Sequence, residues 1–209
     1  MHEHGLPFAV RLGDGLRTGL FLDQRDNRQR VKALASGKRV LNLFAYTGGF
    51  SVAALAGGAA EAVCVDASAN ALAWAQRNSA RIGKGDRHRI WHTDVFDALQ
   101  RMAKRGERFD LIILDPPSYA TTRARRFVAL RDYQGLAEAC IALLAPAGQL
   151  LACINPHGAS RRGLRRDLQQ AALHAERGVA KLKDLPGQLD FPAASGQEPH
   201  NKSVLLTGL

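Results

Sequence analysis

From Arg39 onward, short apolar runs alternate with segments that have helical spacing. The apolar runs have the length of strands and are RVLNLF, AVCVD, RIWHTD, FDLIILD and QLLACIN, with a last run, KSVLLTGL, at the end of the chain. Strands that alternate with helices in this way are typical of a parallel sheet with helices on both faces. We therefore predict an α/β fold built on a doubly wound, mostly parallel sheet of seven strands, six of which are identified by these runs.

The chain has 209 residues, which suffices for one well-cored domain and is too short for two comfortable ones. We predict a single domain, with a core over residues 37–209 and an extension over residues 1–36. In the extension, FAVRL, the turn GDG and TGLFL predict a β-hairpin from Phe8 to Leu22. The segment DQRDNRQRVKALA that follows has helical spacing.

The composition of the chain indicates which kinds of molecule it could bind. The formal net charge is +10, which favours a polyanion, and the absence of a long basic amphipathic helix favours nucleic acid over membrane. The three cysteines are an odd number without CxxC spacing, so neither disulfides nor a thiolate metal site is expected. No signal-peptide pattern and no long uncharged apolar run occur in the sequence, so we expect a cytoplasmic location.

A glycine-containing turn follows the first core strand, in VLNLFAYTGGFSVAAL. In sheets of this kind, ligands bind beyond the carboxyl ends of the strands. Glycine at 48 and 49 would let a ligand approach the backbone, and the helix that starts there favours negative charge. Asp66 ends the second strand, where a carboxylate can accept both ribose hydroxyls of an adenosine cofactor. Asp94 ends the third strand and could accept the exocyclic amine of adenine.

The residues on either side of the glycines indicate which type of cofactor could bind. The GxGxxG spacing of dinucleotide enzymes is absent, because Tyr46 and Phe50 occupy two of the three glycine positions. Bulky side chains there leave little room for a pyrophosphate, so a cofactor without phosphates, S-adenosylmethionine, fits better. An oxidoreductase on a similar fold remains the alternative.

The fourth strand ends in LIILDPPSYA. Two prolines after a carboxylate cannot continue a strand ladder or start a helix interior, so they form a stiff turn at the rim of the sheet. We expect Asp115 to face the cofactor and the substrate, and Tyr119 to be available for stacking on a flat base.

Several segments, in order, carry a resemblance to a known family: RTGLFLDQRDNRQRV, VLNLFAYTGGFSVAAL, VCVDASANALAWAQRN, HTDVFDAL and FDLIILDPPSY. Together they resemble the class I S-adenosylmethionine-dependent RNA methyltransferases of the RlmI and RlmK type, which modify bacterial 23S ribosomal RNA. The resemblance implies a Rossmann-like fold and covers essentially the whole chain. The family also carries an amino-terminal PUA-like, RNA-binding domain, and the resemblance begins after it.

By this resemblance, residues 47–49 would contact the methionine part of the cofactor, Asp66 the ribose and Asp94 the adenine. Residues 115–119 would line the methyl-transfer site. The full set of cofactor-binding residues implied is Phe21, Asp23, Arg25, Phe44, Tyr46, Thr47, Gly48, Gly49, Asp66, Ala67, Asp94 and Val95. The catalytic set implied is Asp115, Pro116, Pro117, Tyr119 and Asn155.

One departure from the family concerns the base that is methylated. The RlmI type has a catalytic cysteine at the end of strand five, and attack at cytosine carbon-5 requires such a thiolate. In GQLLACINPHGAS, Asn155 occupies that position, and Cys153 lies about 6.6 Å deeper in the strand, where we expect a core residue. A nitrogen acceptor such as guanine N7, the RlmK type of chemistry, is therefore favoured. Cytosine-C5 chemistry and a non-catalytic relative that binds RNA or the cofactor remain alternatives.

Arginines cluster after the fourth and fifth strands. If the sheet is built as predicted, both clusters lie on the rim that holds the transfer site, where they could contact RNA phosphates. For any single arginine, a solvated helix face is the simpler interpretation. We expect no metal and no membrane partner, and the RNA-binding candidates are Arg123, Arg125, Arg126, Arg161, Arg162, Arg165 and Arg166.

Overall fold

The strands and helices follow the predicted alternation. A computed structural model describes residues 1–13, 18–121, 126–178, 181–195 and 197–208. Within them, the strands are β1 (His2–Glu3), β2 (Leu6–Pro7), β3 (Arg39–Leu43), β4 (Glu61–Asp66), β5 (His88–His92), β6 (Phe109–Leu114), β7 (Tyr119–Thr121), β8 (Arg126–Val128), β9 (Leu144–Ile154), β10 (Lys181–Leu185) and β11 (Lys202–Thr207). The α-helices are α1 (Arg25–Leu34), α2 (Gly49–Ala56), α3 (Ala69–Arg81), α4 (Val95–Lys104), α5 (Ala129–Ile141) and α6 (Arg161–His174).

Seven of the strands form one mostly parallel sheet, which confirms the predicted fold class. The chain divides into two units, Met1–Val95 (unit 1) and Phe96–Leu209 (unit 2). No helix among the described residues is both long enough and apolar enough to cross a membrane.

In unit 1, the parallel strands run in the order β3-β4-β5. The central residues of β3 and β4 are buried and, apart from Asn42, apolar, as periodicity predicted, whereas in the edge strand β5 only His88 is buried. Helix α2 is built almost entirely from small and apolar residues, and Gly49 to Leu55 are all buried. A helix that is apolar on every side must be enclosed by its neighbours, and α1 and α3 both contact it.

The structure has a small amino-terminal hairpin, as predicted, but at residues 2–7 and not at Phe8 to Leu22; residues 14–17, which include part of the predicted turn, lie outside the described residues. The hairpin of the structure pairs β1 with β2, and its turn is formed by His4 and Gly5, which both have positive φ. No strand occurs in the described part of residues 8–22. Phe8 and Leu20 of this segment pack in one buried cluster with Val52 of α2. Burial against the helix accounts for their apolar character, so they need not belong to a strand.

In unit 2, β6 and β9 are parallel, and β11 is antiparallel to both β9 and β10. The sequence did not predict strand β10, KLKDL, because three of its five residues are charged. Its burial in the structure does not alternate regularly either. The short hairpin β7-β8 was also missed, and it follows directly after the Asp-Pro-Pro turn. The predicted strand KSVLLTGL is β11.

Candidate functional site

The turn between β3 and α2 has an unusual backbone. Phe44, Tyr46 and Gly48 all have positive φ, at 53°, 50° and 75°. Two bulky residues in the left-handed region store strain, of order 1–3 kcal/mol each, and persist only where the surroundings hold them. Strain of this kind concentrates at ligand sites.

Packing inside the protein requires glycine at position 48 of this turn and leaves little room for a side chain at position 49. A Cβ at Gly48 would lie 2.7 Å from the Cβ of Ala75 in α3, and one at Gly49 would lie 3.1 Å from Cδ1 of Leu20. The sequence-based expectation was that these glycines leave room for a ligand. At position 48 the missing Cβ already serves packing inside the protein, because the side on which it would stand is filled by Ala75.

A chain of hydrogen bonds holds the turn to its surroundings in unit 1. Thr47 Oγ1 donates to the carbonyl of Gly19, and the N–H of Gly19 donates to the hydroxyl of Tyr46 at 3.1 Å. From α3, Asn78 Nδ2 donates to the carbonyl of Thr47 at 3.0 Å, while its Oδ1 accepts from the N–H of Ala9 at 3.1 Å. Asn78 is fully buried. The turn is thereby fastened both to α3 and to the amino-terminal segment.

Asp66 ends β4 as predicted, and its carboxylate is already oriented. Oδ2 accepts from the N–H of Tyr46 and Oδ1 from the N–H of Ser68, both at 2.8 Å. Each carboxylate oxygen has two acceptor positions, so one on each remains for a further donor. Two hydroxyl groups on adjacent carbons, as on a ribose, match this arrangement.

Residues from two other segments lie near this turn. Phe21 is half exposed, and its ring packs at 5.3 Å from the ring of Tyr46. The N–H of Thr93, which precedes the half-buried Asp94, donates to the carbonyl of Asp66 at 3.2 Å. Unit 1 thus brings together most of the predicted cofactor-binding residues. Of the others, Asp23, Arg25 and Phe44 are half-buried, Ala67 is exposed and Val95 is buried.

In unit 2, the Asp-Pro-Pro turn meets the end of β9. Ser118 Oγ donates to Oδ1 of Asn155 at 3.3 Å, across 37 positions of sequence. The turn itself is fastened by the N–H of Ala129, which donates to the carbonyl of Ser118 at 3.0 Å. Asp115 and Asn155 are half-buried and Pro116 is buried. The structure therefore brings together the Asp-Pro-Pro turn and the end of β9, which are far apart in the sequence.

Pro117 and Tyr119 are exposed on this turn, and Tyr119 is 65% exposed at the start of β7. Its ring is accessible for stacking, as the sequence predicted. Ser118 lies within the predicted range 115–119, but sequence reasoning gave it no role of its own. Sequence reasoning missed Asn78, which no local pattern distinguishes from a solvent-facing helix residue.

Four of the predicted arginines lie along one helix. The first turns of α6 line a cavity of about 860 Å³ that includes Arg161, Arg162, Arg165 and Arg166. Several of them contact carboxylates, as in the 2.8 Å bond from Arg165 Nη1 to Asp184 Oδ1. Arg126 is exposed on β8, and Arg123 and Arg125 lie outside the described residues.

Comparison with known proteins decides the family. A family model described as S-adenosylmethionine-dependent methyltransferase matches residues 1–198. The chain belongs to this family. The predicted enzyme class and the predicted cofactor, S-adenosylmethionine, are confirmed, and the dinucleotide alternative is not.

Two curated relatives show which methyltransferases the chain is similar to. Ribosomal RNA large subunit methyltransferase I of Aeromonas salmonicida is 41% identical over 92% of this chain and 49% of its own length. Ribosomal RNA large subunit methyltransferase K of Neisseria meningitidis serogroup B is 45% identical over 71% of this chain and 43% of its own. The chain spans about half the length of the curated relatives it matches.

A solved structure supports the same fold. SMU.776, a methyltransferase in complex with SAH, is 30% identical with a TM-score of 0.86, over 99% of this chain and 55% of its own. For this methyltransferase family, the unit 1 turn has the features that such a cofactor needs. Asp66 offers two oriented acceptor positions, and the cofactor carries no phosphate that would need a glycine-lined backbone.

The three cysteines of this methyltransferase are all buried and free. Cys153 has no exposed surface, and its Sγ lies 3.4 Å from Ser203 Oγ of the neighbouring strand, which confirms the prediction of a core residue. Burial raises the pKa of Cys64 to about 12 and also raises the pKa of Cys140. Nucleophilic thiols need the opposite, an accessible sulfur with a lowered pKa.

Proposed function

We propose that this protein transfers a methyl group from S-adenosylmethionine to a base of RNA, namely of 23S ribosomal RNA, and that the acceptor is a nitrogen such as guanine N7. The RNA substrate is supported by the names of two curated relatives and by the net charge of +10. The nitrogen acceptor is supported by Asn155, which stands where the RlmI type has its nucleophilic cysteine.

The cofactor would be held by unit 1. Asp66 would accept the two ribose hydroxyls on its remaining lone pairs, while the N–H groups of Tyr46 and Ser68 keep the carboxylate in orientation. Asp94 would accept the adenine amine, and residues 47–49 would contact the methionine part. Phe21, Asp23 and Arg25 would border the cofactor from the amino-terminal segment.

When bound, S-adenosylmethionine supplies an electrophilic methyl group on a sulfonium, and the acceptor's lone pair forms the new bond as the carbon–sulfur bond breaks. A ring nitrogen already carries a lone pair, so no covalent adduct between enzyme and base is required. The chain's task is then to position the base. We assign this to Asp115 and Asn155 as hydrogen-bonding groups and to Tyr119 as a stacking surface.

The observation that carries the nitrogen acceptor is the pairing of Asn155 with Ser118. An amide fixed beside the Asp-Pro-Pro turn presents both a donor and an acceptor to a base edge, which suits recognition and not nucleophilic attack. The buried thiols support the same conclusion, since none of the three is accessible to a cytosine ring.

The deciding experiment is transfer of labelled methyl from S-adenosylmethionine to unmodified 23S ribosomal RNA, followed by nucleoside mass spectrometry. We expect a methylguanosine. Asn155→Ala should lower kcat by roughly 100-fold, the order expected when the reacting base is misplaced by about 1 Å, with cofactor affinity unchanged. Cys153→Ala is the matched control and should keep its activity.

Two results would contradict this proposal. Formation of 5-methylcytidine, lost in Cys153→Ala, would mean that a thiol attacks the base and that strand β9 has been read in the wrong register. Tight binding of S-adenosylmethionine without any labelled nucleoside would favour a non-catalytic relative that binds RNA or the cofactor.

A further inference from the structure

The cavity beside α6 is strongly basic but not uniformly so. Its wall carries four arginines, on the first two turns of the helix, and two carboxylates, Asp184 and Glu198. Positions 161 and 162 recur one turn later at 165 and 166, about 6 Å further along the helix axis. A groove with this spacing can contact successive groups of an extended polyanion.

Glu198 has a particular place in this groove. Its Oε2 accepts from the N–H of Arg161 at 2.7 Å, at the first residue of α6. The usual capping contact is made separately, since Ser160 Oγ accepts from the N–H of Gly163 at 3.0 Å. The Glu198 carboxylate therefore accepts from an N–H that has no partner within the helix, at the positive end of the helix dipole. Anions and phosphates bind at this place in many proteins.

The groups around Glu198 have unused capacity for an anion. Nε of Arg161 is buried and has no hydrogen-bond partner among the described residues, while its Nη2 donates to the carbonyl of Leu185 at 3.3 Å. Lys202 belongs to the same neighbourhood: burial lowers its pKa, Glu198 opposes that shift and Arg161 adds to it. Two cations, Arg161 and Lys202, therefore lie around the single carboxylate of Glu198, which leaves an excess of positive charge at this end of the groove.

We propose that Glu198 stands in for an RNA phosphate in the free protein, and that a phosphodiester of the RNA displaces it from the end of α6 when RNA binds. This rests on the proposed RNA substrate. Glu198 accepts from the N–H of Arg161 through one oxygen, whereas a phosphodiester at this place could also contact the exposed arginines of the same groove, such as Arg166. The carboxylate would thus compete with RNA and weaken its binding.

The test compares the full chain with Glu198→Gln, using a single-stranded fragment of 23S ribosomal RNA at several salt concentrations. Removing the competing charge should tighten RNA binding by about 2- to 5-fold, the range for one charge at a helix end. Because a phosphate takes the same place in wild type once it has displaced Glu198, the slope of log affinity against log salt should change by less than the roughly 0.7 expected for one whole phosphate contact on a single strand.

Glu138→Gln is the matched control, because it removes the same charge from unit 2 at an exposed site on α5. It should leave RNA affinity unchanged. Equal tightening by both variants would attribute the effect to net charge and overturn the proposal. Tighter binding of inorganic phosphate by Glu198→Gln without tighter RNA binding would overturn it too, since the site would then take a small anion.

A double variant, Arg162→Ala with Arg166→Ala, separates this inference from the proposed function. If it binds RNA as wild type does, the groove is not the RNA surface, and both the proposed surface and the role of Glu198 fail. If it binds RNA more weakly while Glu198→Gln matches wild type, only the role of Glu198 fails. Thermal unfolding of each variant monitors folding, and Glu198→Asp, which keeps the charge, should retain the wild-type salt dependence.

Discussion

The ion pair and the amide that fasten the amino-terminal part of unit 1 are buried, whereas the ion pairs along α6 of unit 2 have partly or largely exposed arginines. In unit 1, the side chains of Arg28 and Glu3 are 4% and 5% exposed, and Asn78 is fully buried. Along α6, the side chains of Arg165 and Asp184 are 37% and 39% exposed. Buried polar groups must keep their partners, whereas exposed ones can exchange theirs for water or a ligand.

This contrast suits the two proposed tasks. A cofactor turn with two non-glycine residues at positive φ needs neighbours that never release it. A surface that binds the backbone of RNA needs cations whose present partners are cheap to replace. The predictions that follow test this contrast between fixed and exchangeable contacts.

The largest effect is expected at the buried ion pair. Arg28 Nε and Nη2 donate to the two carboxylate oxygens of Glu3 at 2.7 and 2.6 Å. Glu3→Ala leaves a buried guanidinium unpaired and should lower the free energy of unfolding by about 3–5 kcal/mol in urea titration. Replacing both residues by apolar ones, Glu3→Leu with Arg28→Met, should recover most of that loss. A single variant that unfolds like wild type would mean that the pair is not buried in solution.

The next effect depends on pH and concerns His88. Burial lowers the pKa of His88 to about 4, and its Nδ1 lies 2.9 Å from Ser79 Oγ. The unfolded chain takes up the proton near pH 6.5, before the folded protein does, so stability is lost as pH falls from about 6.5 to 4. This site alone should cost about 3 kcal/mol at pH 4.

The measurement for His88 is the free energy of unfolding against pH for wild type and His88→Gln. The difference between the two curves removes the contribution of every other titrating group. A slope between pH 4 and 6.5 that persists unchanged in the variant would exclude His88 as its source.

A smaller loss of stability, but a specific effect on the cofactor, is expected at Asn78. Asn78→Ala leaves the carbonyl of Thr47 and the N–H of Ala9 without partners and should cost about 1–3 kcal/mol. Because the turn then loses its tie to α3, KM for S-adenosylmethionine should rise more than kcat falls. Asn42→Ala is the control, since its amide donates to Ser51 at 3.0 Å instead. An equal rise of KM in both variants would mean that Asn78 has only a general structural role and does not specifically hold the turn.

The smallest effect on stability is expected on α6. Arg166 is 74% exposed and bonded to Asp167, and exposed pairs of this kind contribute little. Arg166→Ala should change the free energy of unfolding by less than about 0.5 kcal/mol while weakening RNA binding. A large loss of stability would show that this contact is not exchangeable.

Local signals predicted much of the fold and part of the site. The alternation of strands and helices follows from apolar periodicity, and Gly48 with Asp66 follows from where strands end. The hairpin of the extension was misplaced, because Phe8 and Leu20 alternate like strand residues but are buried against Val52. Strand β10 was missed because its partners lie in β11, about twenty residues later, and its own sequence is mostly polar.

What the sequence alone determined was the fold class, the family resemblance and the exclusion of a phosphate-binding glycine loop. These depend on residue type and spacing within short segments. Only the tertiary structure decided that Ser118 pairs with Asn155, that Asn78 fastens the turn and that Glu198 caps α6. Each of these contacts joins residues 31 or 37 positions apart. Short-range patterns carry no information on such pairs, because their distance is set by how whole strands and helices pack.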